Sequence, residues 1–157
     1  MQFRAEIQTD IDLSKIAEGL IIPEVVMKDI GLAYRKYREE KMRSGLNLND
    51  LSPMTPLKAK TIERKRKKGS RSPQTPLIDT GNMSRGTTIR PGAGFLEVTQ
   101  GTTRSEVQAF HQHGEGNLPQ RVSLSWNQDF LNTKVKPIIR AYLQKLAQNA
   151  KRRISGG

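Results

Sequence analysis

The chain has no cysteine among its 157 residues. Disulfides, thiolate nucleophiles and the common cysteine-based zinc sites are therefore excluded, and an intracellular, reducing assembly compartment is the expectation. Aromatic residues are scarce at 5%, and the hydrophobic share is 34%. That composition builds a modest core and leaves little apolar area to organise long loops. A small folded body follows, with segments that order against a partner. Long hydrophobic runs are missing too. The longest near the front, Leu20-Ile21-Ile22, is cut by Pro23, far short of the ~20 residues a membrane-spanning helix needs. The opening MQFRAEIQTDIDL alternates polar and apolar residues and carries acids, so it does not read as a signal peptide, and a soluble protein is expected.

What the chain has in quantity is positive charge: 27 Lys and Arg against 15 Asp and Glu, a net +12. One stretch, KAKTIERKRKKGSR from Lys58 to Arg71, carries eight basic residues and one acid, or +7, which leaves +5 for an ordinary, mildly basic remainder. Its cations, Lys58, Lys60, Arg64, Lys65, Arg66, Lys67, Lys68 and Arg71, are candidates for facing DNA, another polyanion or an acidic partner surface. The plainer alternative is a solvated loop held open by self-repulsion.

The length suits a single domain over 1–157, with residues 46–76 as an extended basic arm inside it. Residues 2–8 alternate, with Phe3, Ala5 and Ile7 on one face, as a half-buried strand does. Asp12 or Ser14 can cap a helix. After Pro23 an apolar stripe of Val25, Val26, Met27, Ile30, Ala33, Tyr34, Tyr37 and Met42 predicts a helix over 24–43, stopped by Gly45. Within the arm, Thr55-Pro56 suggests a short helix from 56 to about 66. Thr87–Arg90 and Phe95–Thr99 read as strands around the turn sequence Pro91-Gly92-Ala93-Gly94. Glu106–Gln112 reads as a third strand of an antiparallel meander. Ser125-Trp126-Asn127 opens a C-terminal helix to about residue 152, which Pro137 should kink or split. There the cluster Lys151, Arg152 and Arg153 suits the helix dipole. The fold class is α+β: a small antiparallel sheet packed against N- and C-terminal amphipathic helices, with a long basic loop.

Catalytic chemistry is thinly supplied. His111 and His113, two apart on the expected strand, would point the same way and could share a metal. Only Glu106 and Glu115 lie near as further ligands, so a His-dependent metal nuclease is a remote alternative. Gly-x-Ser-x-Gly and phosphate-loop patterns are absent, and the aspartates are scattered. Trp126 and Phe95, which could stack bases, read more simply as core. No recognition helix stands out, so contact with DNA should be sequence-blind and salt-sensitive. No enzyme activity, cofactor or metal is expected.

Four punctuated segments follow in order: Leu51-Ser52-Pro53-Met54-Thr55; Pro76-Leu77-Ile78-Asp79-Thr80-Gly81; His111-Gln112-His113-Gly114; and Pro119-Gln120-Arg121 with Leu124. Over about residues 48–130 this set is similar to the phage virion morphogenesis family, the Mu-like tail completion or head–tail joining neck proteins. The resemblance implies a non-enzymatic ring subunit, six copies being the expected number, in the virion neck or tail terminus and assembled in the host cytoplasm. Its implied neighbours are other copies of itself, the tail tube protein, the head connector and adaptor proteins, and genomic DNA passing through the lumen. Leu77, Asp79, Thr80, His111, His113 and Arg121 are then candidates for the subunit interface, with Arg121 as a bidentate donor to a neighbour's carboxylate. A free, sequence-nonspecific nucleic-acid-binding module is the alternative from another class.

Overall fold

A computed structural model describes residues 22–78, 86–100 and 105–155. The expected strand over 2–8 and the caps at Asp12 or Ser14 lie outside these residues, as do Asp79 and Thr80.

The first described helix, α1, runs Glu24–Arg43, the span its stripe predicts. Pro23 sits at its N-cap with extended backbone, and Lys41 and Arg43 complement the dipole in its last turn. It ends in a Schellman arrangement: Gly45 N–H reaches Met42 O, Leu46 N–H reaches Lys41 O (both 3.0 Å), and Gly45 takes φ +69°. The stripe buries Val26, Met27, Ile30, Tyr34, Tyr37 and Met42, but leaves Val25 exposed.

Helix α2, Ala59–Lys67, lies inside the expected arm and starts three residues later than the Thr55-Pro56 signal suggests. Strands β1 (Thr87–Gly92) and β2 (Phe95–Gln100) pair antiparallel, Thr87 opposite Gln100 and Gly92 opposite Phe95. Leu96 and Val98 alternate inward against α1. The hairpin lies so close to α1 that a Cβ on Gly31 would stand 2.4 Å from Ile89 Cγ2. Phe95, expected in the core, is 59% exposed at the hairpin tip.

The third strand is not there. Residues Ser105–His113 form helix α3 instead, and the sheet has two strands among the described residues. The cause is visible in its inward row: Gln108 and Gln112, four residues apart, face the body. A helix whose buried side is polar gives no apolar 3.6-residue period, and the accidental alternation around Val107 and Ala109 then imitates a strand.

Asn127 caps the C-terminal helical run by accepting from Phe130 N–H at 2.8 Å. A short α4, Gln128–Phe130, passes into a π-turn at Leu131–Val135 and then α5, Lys136–Ser155. Lys136 N–H bonds back five residues to Leu131 O, so the extra residue is absorbed just before Pro137, which has no N–H to give. The proline is accommodated by a π-bulge without splitting the helix. Phe130 closes the core between Tyr34, Tyr37 and Trp126, with ring centroids 5.2–5.3 Å away. Sheet and helices together make the α+β body expected. No helix among the described residues is long and apolar enough to cross a membrane.

Candidate functional site

Three of the four punctuated segments, spread over some seventy positions, close on one another. Arg121 is buried and donates from Nε and Nη2 to Thr55 O, 3.0 Å each, with Pro56 O at 3.4 Å from Nη2. Its own N–H bonds to His111 O at 2.7 Å. One residue on, Val122 N–H bonds to Asn47 Oδ1 and Val122 O accepts from Leu48 N–H, 2.8 Å each. Gln112 then works as a surrogate strand: its Oε1 accepts from Ser123 and Leu124 N–H, and its Nε2 donates to Leu124 O at 2.8 Å. Gly114, at φ +68°, lets the chain turn where an added Cβ would stand only 3.2–3.4 Å from Gln120. These bonds satisfy extended backbone over 121–124 that no strand among the described residues pairs with.

The expectation for Arg121 therefore needs correction. Its guanidinium binds carbonyls of its own chain and is turned inward, with its pKa lowered by burial. It is not presented to a neighbour's carboxylate. His111 is half-buried on α3, its Nδ1 3.4 Å from Arg121 Nη1. Burial first, then the Arg121 charge, lowers its pKa below the ordinary 6.5. His113 is exposed. Because the segment is helical, the two imidazoles point roughly 200° apart around the axis and do not share a face. No group of three His, Asp or Glu side chains that could hold a metal ion forms among the described residues.

Pro76-Leu77-Ile78, of the second segment, is fastened to α1 and α2 instead. Ile78 packs with Met42 and half-buried Leu77. Leu77 holds φ +60°, as does Leu51 in the first segment. A left-handed conformation costs a leucine ~1–2 kcal/mol, so both turns are imposed by the packing around them. Lys65 of α2 is the clamp: it is 5% exposed, and its ammonium donates to Ser72 O (3.0 Å), Thr75 O (2.8 Å) and Ile78 O. That corrects the expectation for Lys65, which binds the returning chain and does not face a polyanion.

The remaining seven cations of the stretch, from Lys58 to Arg71, are exposed. Thr61, Ile62 and Lys65 form the inward row of α2, so Lys60, Arg64 and Lys67 fall outward. Glu63, the stretch's one acid, is paired with Lys67 at 2.9 Å. The arm is thus a short cationic helix pinned at both ends, not a self-repelling loop. The cations of its last turn also suit the helix dipole, which accounts for part of their placement.

A third buried cation is not evident from the sequence. Arg38, fully buried in α1, donates from Nε to Ser123 O at 2.7 Å and from Nη1 to Thr87 Oγ1 at 2.9 Å. It ties β1 and the 121–124 segment to one helix. Burial lowers its pKa to about 10. An arginine on an amphipathic helix reads as surface; the only signal is its place between Tyr34, Tyr37 and Met42 on the stripe.

No protein-family model, curated protein or solved structure matches the chain.

Proposed function

We propose that the chain is a structural virion protein of a tailed phage, forming a ring at the neck or tail terminus that completes the tail and joins it to the head connector. The observation that carries this reading is the closure of three of the four family-like segments on one another through Arg121 and Gln112, with Lys65 fastening the second to α2. A motif set serving catalysis brings reactive side chains together. This one brings together backbone carbonyls and the donors that hold them, which is what a rigid subunit with a projecting element requires. On this reading α2 faces the genome in the lumen, where exposed cations give sequence-blind attraction. The outer face of the junction meets the next copy, the tail tube protein or the head adaptor, with Leu77 and His113 as its contact residues.

The exposed cations of α2 equally suit a monomeric, sequence-nonspecific nucleic-acid-binding module, so the test must separate the two. Tail tubes assembled from the purified tube protein are mixed with gold-labelled chain and imaged by negative stain. A ring subunit decorates one end of each tube. Label scattered along added DNA and never at a tube end would reverse the choice.

A further inference from the structure

The charge outside α2 is not spread as an ordinary basic surface. Residues 136–157 hold six Lys and Arg and no acid, so with +7 on 58–71 and +6 here, the rest of the chain carries −1. Nearly all of this second block lies on α5. Ile138, Ile139 and Tyr142 of that helix pack against the core, which fixes its orientation. Beyond them every residue from Gln144 to Ala150 is exposed, so the helix leaves the body for two turns. At a constant spacing of four stand Arg140, Gln144, Gln148 and Arg152, all exposed; the first three lie on the side away from the body, and the row winds about 120° round the axis to bring Arg152 to its flank. Lys145 is exposed beside the row, and Ala141 adds no bulk to it.

We infer that this row is a second nucleic-acid-contacting element, a helix face shaped for the major groove of duplex DNA. The row spans about 18 Å at 1.5 Å per residue, and a single helix fits the ~12 Å major groove of B-form DNA. Arginines at its ends reach phosphates or guanine edges; glutamines between them offer the paired donor and acceptor that adenine edges match. An acidic protein surface would need the cations alone and leaves the amides unexplained. A lipid surface would need the apolar stripe, whose first half is packed on the core. The inference stands whether or not the chain forms a ring, because it concerns the DNA-facing side of one helix and not the assembly.

Fluorescence anisotropy with the full chain and mixed, AT-rich and GC-rich 20-base-pair duplexes, titrated over salt, tests it. Poly-glutamate serves as the acidic-polypeptide probe. Arg140→Glu with Arg152→Glu should weaken duplex binding tenfold or more and lower the slope of log K against log salt by about two, roughly one unit for each phosphate no longer neutralised. Gln144→Ala with Gln148→Ala should keep that slope and flatten the preference among duplexes. Alanine is a stronger helix former than glutamine, so far-UV dichroism should show the fold retained. The inference is overturned if both double variants bind duplex like the parent. It is equally overturned if the arginine variant loses poly-glutamate binding alone, or if replacing Lys60, Arg64 and Lys67 by Glu abolishes duplex binding while both α5 variants leave it intact. That last result would leave the proposed role of α2 standing.

Discussion

Arg121 donates two hydrogen bonds to one carbonyl oxygen, that of Thr55, across 66 positions of chain. The bond fastens the third and fourth family-like segments to the first and makes the entry to α2 part of the rigid body. Arg121→Met should remove the charged donor from the Thr55 and Pro56 carbonyls, a hydrogen bond to a charged group being worth ~1.5–3 kcal/mol. A fall in melting temperature of several degrees is expected by calorimetry, with duplex affinity unchanged. Unaltered stability would mean that the junction does not hold the fold.

Two lysines two residues apart should behave oppositely. Lys65→Met removes the ammonium that gathers Ser72, Thr75 and Ile78 carbonyls, and should open residues 69–78 to limited proteolysis. Lys67→Met, at a side chain 76% exposed, should stay within about 0.5 kcal/mol of the parent in stability. Only the second should weaken DNA binding. Equal protease sensitivity in the two variants would refute the clamp.

Gly31 is the point where helix and hairpin touch. Gly31→Ala forces its methyl against Ile89 and Leu96. An overpacked junction of this kind costs ~1–3 kcal/mol. Denaturant unfolding should show that destabilisation, and hydrogen exchange should show the protection of β1 and β2 falling most. A variant as stable as the parent would place the hairpin differently from the packing described here.

The pH response has two arms. Tyr34 and Tyr37 are held protonated, their pKa values pushed up to about 12 chiefly by burial, and in Tyr37 also by the bond to Asp129. In the unfolded chain they ionise near 10, so between about 10 and 12 the folded state binds more protons and stability falls as pH rises. Arg38, lowered to about 10, opposes this in the same window, since there the unfolded state binds the extra proton. Two tyrosines outweigh one arginine, and tyrosinate absorbance should therefore rise together with loss of helix. On the acid side, the lowered pKa of His111 makes the unfolded chain take the proton first. Stability should decline as pH falls from 6.5, and His111→Gln should flatten that decline in a series of melting curves.

The legible parts of the fold are those with an apolar period. The stripe from Val26 to Met42 and the turn at Pro91–Gly94 place α1 and the hairpin almost to the residue. Helix α3 imitates a strand because its inward side chains are Gln108 and Gln112, which carry no hydrophobic signal. For the same reason, nothing distinguishes Lys65 from the seven exposed cations around it, and only its place on the stripe distinguishes Arg38 from a surface arginine. Burial of a polar group is decided by carbonyls distant in sequence, Ser72 to Ile78 for one and Ser123 for the other. The pairing of His111 with His113 likewise turns on period: residues two apart share a face on a strand and not on a helix.

Light scattering coupled to size exclusion, on the chain alone and on complexes released from tail tubes, tests the ring directly. The account predicts one discrete closed oligomer, formed alone or on the tube and bound there in fixed stoichiometry. A chain that remains monomeric in both states and never joins the tube would contradict it.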